Sequence, residues 1–179
     1  DYAAAADRFA QGDSAADHYN RGNALAKGGE LELTGQFGGL SFNAGVGYLD
    51  AKFANSACIS DTNAPGTDAG CPANLRFVPK DRVLPFSPEW TVNAGVQYTF
   101  ALGEVDVTPR VQWSHLASQY ATPFPSVNTL VPGRDLFDAR LTLDFGTKYK
   151  LEGFINNIGN KKYVATQIQN SSSADGGII

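Results

Sequence analysis

The stretch that decides the fold is Trp90-Thr91-Val92-Asn93-Ala94-Gly95-Val96-Gln97-Tyr98-Thr99-Phe100. Read in steps of two, its even positions are apolar and have aromatic residues at both ends, while its odd positions are polar or glycine. Side chains alternate between the two faces of a β-strand. The stretch therefore predicts a strand whose two faces meet two different environments.

The same alternation recurs elsewhere in the chain. A face rich in Leu, Val and Phe opposes a polar face in Glu30–Phe37, Leu40–Tyr48, Glu104–Ser114, Phe137–Phe145 and, more weakly, Tyr149–Asn157. Pro109 falls inside one of these stretches. Because proline has no backbone N–H, it predicts a bulge or a local break in the ladder at that point.

The connections between these stretches alternate in length. Short turns follow Phe37, Leu102 and Phe145, whereas long segments run from Ala54 to Glu89 and from Ala121 to Arg134, and a Ser/Gly-rich tail begins at Asn170. Short turns at one end and long loops at the other are typical of a transmembrane barrel, as are aromatic residues at both ends of the strands. About 9–11 tilted residues are enough to cross the hydrocarbon layer. The sequence thus predicts an all-β, antiparallel, up-and-down transmembrane β-barrel.

Composition excludes several other classes. The mean hydropathy is −0.23, and no apolar run approaches the ~18–20 residues of a transmembrane helix. A net charge of −4, with no Lys/Arg cluster, argues against a nucleic-acid partner. A soluble, secreted β-sandwich also shows alternation and stays an alternative. The aromatic strand ends and the regular alternation of turn lengths weigh against it.

Few residues suggest chemistry. Cys58 and Cys71 share one long loop and predict a disulfide. No histidine lies near them, which argues against a metal site. We find no nucleophile–base pair, phosphate loop or paired carboxylates, so we expect no catalytic residues, no cofactor and no enzymatic activity. His115 lies on the apolar face near a long loop, the position of an interfacial residue. The polar faces give these candidates for residues that face the barrel lumen: Asn93, Gln97, Arg110, Gln112 and Arg140.

Three motifs carry a family resemblance. Asn23–Leu33 (NALAKGGELEL), Pro85–Trp90 (PFSPEW) and Asn156–Tyr163 (NNIGNKKY) resemble segments of TonB-dependent receptors, and together they extend over most of the chain. The resemblance implies a 22-stranded barrel with a plugged lumen in the bacterial outer membrane. It also implies uptake of a scarce nutrient, an iron–siderophore complex foremost and otherwise a vitamin or a sugar. The implied partners are outer-membrane lipid, the small-molecule ligand, the rest of the receptor and TonB, which acts through the plug.

The chain also departs from the family pattern. About six strands cannot enclose a plug, and neither the plug domain, the TonB box nor a final aromatic strand is recognisable in the sequence. We therefore expect residues 1–179 to be part of one larger barrel, with a loop leading into the first strand at 1–28, six strands at 29–167 and a loop toward a missing final strand at 168–179. The alternative from another class is a small passive outer-membrane barrel, porin-like or adhesive, which needs about eight strands.

Overall fold

The computed structural model describes residues 23–61, 66–146 and 148–167. Residues 1–22 of the segment predicted at 1–28, and the whole segment predicted at 168–179, lie outside these ranges. No helix that is long and apolar enough to cross a membrane occurs in the described part of the chain. Its regular structure consists of strands: β1 Ala24–Phe37, β2 Leu40–Phe53, β3 Ala57–Ile59, β4 Arg76–Val78, β5 Trp90–Tyr98, β6 Phe100–Leu102, β7 Val105–Leu116, β8 Gln119–Tyr120, β9 Leu130–Val131, β10 Arg134–Asp144 and β11 Lys150–Ile155.

The main sheet is antiparallel throughout and follows chain order. Its strands run β1-β2-β5-β7-β10-β11, and β6 continues the line of β5 against β7. This arrangement confirms the all-β, up-and-down architecture. Among the described residues β1 and β11 each pair on one side only, so the sheet is not closed. β1 begins at Ala24, earlier than the expected start at residue 29, because its ladder with β2 continues through Gly28 and Gly29.

Pro109 breaks one ladder without shifting the register. β5 pairs with β7 up to Gln97 and Arg110, and β6 resumes at Phe100 and Val107 in the same register. On the other side of β7 the ladder with β10 runs through Pro109 without interruption. The missing N–H of proline therefore falls on the β5 side, where the strand divides into β5 and β6.

The short turns depend on glycine. Gly38, between β1 and β2, has φ +57°, and Gly103, between β6 and β7, has φ +67°. A side chain rarely adopts this left-handed conformation, which glycine reaches without steric cost. These turns keep successive strands adjacent, and this adjacency produces the up-and-down order.

The buried hydrophobic cluster lies where β2 enters the long loops. In the first long loop β3 pairs with β4, and Phe53, Ile59 and Val78 form a buried cluster. Phe124, from the second long loop, packs against this cluster. The sequence predicted both segments only as loops. The structure shows that the two loops form one compact cap.

Candidate functional site

The sheet has an apolar face that is exposed. Leu31, Phe37 and Leu102 on this face keep 68%, 71% and 68% of their surface accessible. A β-sandwich would cover such a face with a second sheet, and the described residues contain no such layer. From Tyr48 to Leu40, and from Phe137 to Phe145, the apolar belt is about nine residues long, as crossing the hydrocarbon layer with a tilted strand requires.

Aromatic pairs mark the ends of this belt. Toward the long loops, the rings of Tyr48 and Trp90 are 4.8 Å apart. Toward the short turns, the rings of Phe37 and Phe42 are 6.3 Å apart. Outer-membrane strands carry aromatic girdles at both interfaces. The rings of Tyr48 and Trp90 are amphipathic and therefore stable between water and lipid.

Beyond Tyr48, toward the long loop, the outer face of β2 becomes charged and its inner face becomes apolar. Asp50 and Lys52 continue the outer face and form an ion pair of 2.8 Å. The hydrogen bond and the charge of Asp50 raise the pKa of Lys52. On the inner face Ala51 and Phe53 are only 6% and 7% exposed. An outer face that changes from apolar to charged indicates that β2 leaves the belt at Tyr48 and continues into water.

A polar cluster lies just beyond the belt on β7 and β10. The Nε1–H of Trp113 donates to Asp135 Oδ1 at 3.1 Å, and Nδ1 of His115 donates to the same oxygen at 2.8 Å. The hydrogen bond from His115, followed by that from Trp113, lowers the pKa of Asp135. Lys161 Nζ lies 4.0 Å from the other carboxylate oxygen. His115 thus lies beside the aromatic girdle.

The polar face is organised around Arg110. Its Nη1 donates to Gln97 Oε1 at 3.0 Å, and its Nη2 donates to Asn43 Oδ1 at 2.7 Å and to Gln112 Oε1 at 3.4 Å. The sequence proposed Arg110, Gln97 and Gln112 as lumen-facing residues, and the structure brings these three together. Asn43 was not among the candidates, because its contact depends on the register between three strands.

Gly95 makes the contact with Asn43 possible. Arg110 on β7 reaches Asn43 on β2 by crossing β5, where Gly95 occupies the intervening position. A Cβ atom at Gly95 would lie 2.5 Å from Arg110 Nη2 and 2.8 Å from Asn43 Oδ1. A small residue on the polar face therefore leaves room for a hydrogen-bond network that runs across the strands.

The two remaining candidates lie on the same face but have other neighbours. Arg140 is the register partner of Arg110, and its Nη1 forms an ion pair with Glu152 Oε1 at 3.0 Å. Asn93 lies over Gly45, where a Cβ atom would meet the Asn93 amide at 2.7 Å. All five candidates share one face of the sheet.

The long loop contains the cysteine pair. Cys58 and Cys71 are bonded, with sulfur atoms 2.04 Å apart and Cα atoms 5.6 Å apart. Asp68 reinforces the same region, because its carboxylate accepts from Arg76 Nε at 2.9 Å and from the backbone N–H of Phe77 at 2.8 Å. The described residues contain no group of three or more His, Cys, Asp or Glu side chains that could hold a metal ion.

Comparison with known proteins agrees with these two faces. The family model described as TonB dependent receptor-like, beta-barrel matches residues 2–158. No curated protein and no solved structure gave a significant match. The family match extends over most of the chain and coincides with the antiparallel sheet, its exposed apolar face and its alternating turns. The chain therefore belongs to the TonB-dependent receptor-like β-barrel family.

Proposed function

We propose that this chain forms part of the wall of an outer-membrane active transporter that takes up a scarce nutrient with energy delivered through TonB. The observation that carries the proposal is the pair of opposite faces: an exposed apolar face bounded by aromatic residues, and a polar face with a connected hydrogen-bond network. Such a sheet is stable between lipid and an aqueous or protein-filled lumen.

The open sheet supports a barrel larger than the described strands. β1 and β11 each leave one edge unpaired among the described residues. In hydrocarbon, every unpaired backbone group costs several kcal/mol, so membrane sheets close on themselves. Further strands of the same receptor would pair with these edges. This reading favours a segment of a large barrel over a small passive barrel complete in itself.

The ligand class that we propose is suggested by the family and not by a site in the sheet. Iron–siderophore complexes are the substrate class that we propose first, with vitamins and sugars as the other classes. Ligand contacts would come from the cap formed by the two long loops and from polar residues near its base. The cap is held together by a disulfide and a small core, so it can present a defined surface.

The proposed role is transport without catalysis. The polar face offers hydrogen bonds and fixed charges, which bind and orient but do not activate a nucleophile. Its partners would be outer-membrane lipid, the small-molecule ligand, a domain within the lumen and, through that domain, TonB.

Uptake by the complete receptor tests this function. Cells that carry it as their only receptor of this class would be grown under iron limitation with a panel of radiolabelled iron–siderophore complexes. We expect outer-membrane localisation and uptake of one complex that disappears in a strain without TonB. Uptake that continues without TonB would support the passive barrel, and a receptor absent from the outer membrane would contradict the proposal.

A further inference from the structure

Arg110 is held in place without being neutralised. Its three side-chain partners are the carboxamide oxygens of Gln97, Asn43 and Gln112, at 3.0, 2.7 and 3.4 Å. These groups accept hydrogen bonds but carry no net charge. Among the described residues no carboxylate forms an ion pair with Arg110. The guanidinium is therefore fixed in orientation while its positive charge stays unbalanced.

Arg140 provides a contrast on the same face. It is the register partner of Arg110, but its charge is balanced by Glu152 at 3.0 Å. The nearby carboxylate of Asp138 accepts the backbone N–H of Asn157 at 2.7 Å. Glu152 and Asp138 therefore bind groups other than Arg110. The charge of Arg110 stays uncompensated, whereas that of Arg140 is neutralised.

The surface around Arg110 is concave. One shallow hollow lies between Arg110, Gln112 and Asp138, and a second lies on the other side of Arg110 toward Thr108 and Thr142. Both hollows open away from the apolar face. A side chain that approaches from the lumen could therefore reach the guanidinium, whose planar fork matches the two oxygens of a carboxylate.

A lumen filled by protein would make the unbalanced charge of Arg110 energetically costly. The 22-stranded outer-membrane transporters that this chain resembles enclose a plugged lumen. A body that covers Arg110 would remove the water that solvates its charge, and an unpaired charge out of water is strongly unfavourable. The covering surface must therefore bring a negative group to this position.

We propose that Arg110 is a docking point for an Asp or Glu carboxylate of the domain that occupies the barrel lumen. This inference rests on the proposed function, since it needs a lumen that is filled by protein. The carboxylate would use the guanidinium N–H groups that the carboxamides leave free. Gln97, Asn43 and Gln112 act as positioning residues that keep the fork aimed at the lumen.

Zero-length cross-linking in the complete receptor tests the proposal. In the Arg110→Lys variant, a water-soluble carbodiimide would activate the partner carboxyl group. The introduced amine would then form an amide bond with it, while the carbodiimide leaves as its urea with the carboxyl oxygen. Mass spectrometry of the digested receptor would identify the joined peptides. We expect the peptide that contains position 110 to be joined to an Asp or Glu of the lumen domain.

Arg140→Lys is the matched control, because its neighbour is known. The introduced lysine should couple to Glu152, which shows that the reagent reaches this face. Gln97→Lys, which retains the Arg110 side chain but removes one of its positioning hydrogen bonds, is a second probe and should couple to the same lumen-domain peptide. Heat-modifiable migration on gels would verify that each variant is folded.

Two outcomes would overturn the docking proposal. One is coupling at position 110 only to carboxylates of this sheet, such as Asp138. The other is no coupling at position 110 or 97 while the Arg140→Lys control couples, the result expected if Arg110 faces water or a small anion. In either case, TonB-dependent uptake by the same receptor would leave the transport function standing, so the two failures are distinguishable.

Discussion

Replacing Leu141 by arginine tests which face of the sheet meets lipid. Leu141 lies on the apolar face of β10, midway between Phe137 and Phe145 at the ends of the belt, and is exposed. A charged side chain at the bilayer midplane of a barrel costs about 2–4 kcal/mol when it points toward lipid. This penalty corresponds to a reduction of the folding equilibrium constant by roughly 30- to 900-fold.

Thr142→Arg is the matched control, because it introduces the same group one residue away on the polar face. Its side chain would lie near the carboxylate of Glu152, so we expect a smaller cost than that of Leu141→Arg, whose side chain would point toward lipid. The assay is folding of the complete receptor into lipid vesicles during urea titration, followed by tryptophan fluorescence and heat-modifiable migration. Equal effects of the two variants, or a larger effect of Thr142→Arg, would refute the assignment of the faces.

Three further predictions concern the cap, the polar network and the interfacial cluster. Cys58→Ser should destabilise the first long loop by about 3 kcal/mol, seen as faster proteolytic nicking of that loop alone. Gly95→Val should displace Arg110 and lower the free energy of unfolding by about 1 kcal/mol for the hydrogen bonds lost, seen as a lower urea midpoint, whereas Gly153→Val, with open space at its Cβ, should not. Because the folded pKa of Asp135 lies below its ordinary 3.8, its contribution is present above that pH and is lost as the pH falls through the folded pKa. Tryptophan fluorescence should report this loss in acid, and Asp135→Asn should abolish this change of the fluorescence with pH.

The strands of the sheet were predictable because their two faces meet two different environments. Alternation over nine or more residues, as in Trp90–Phe100, indicates both the strand and its faces. The short turns indicated which strands are adjacent. Pro109 was expected to cause a bulge or a break, and the structure shows a break, confined to the β5 side of β7.

The cap could not be predicted from alternation. β3 and β4 have three residues each, and β8 and β9 have two, too few to display a period. β3 and β4 contribute Ile59 and Val78 to the buried cluster, whose members are far apart in sequence. Above Tyr48, the inward-facing Phe53 breaks the alternation pattern of the membrane belt, and only the packing of the loop explains it.

The polar network was predictable in its members more than in its connections. The residue types at Gln97, Arg110 and Gln112 indicated a polar face. The bond between Arg110 and Asn43 joins residues on β7 and β2 that share no local motif. It depends on the register of both strands with β5 and on the missing side chain at Gly95. Cross-strand contacts of this kind become visible only when the sheet is assembled.

A nitroxide scan along β10 in the complete, membrane-embedded receptor tests the central claim most directly. Single cysteines from Phe137 to Phe145 would be spin-labelled, and collision with oxygen, which concentrates in lipid, would be compared with collision with a water-soluble nickel complex. We predict an oxygen preference at odd positions, Phe137, Ala139, Leu141, Leu143 and Phe145, and its loss at every even position between them. Absence of a two-residue period, or an oxygen preference at the even positions, would contradict the assignment of this sheet as a membrane-spanning barrel wall.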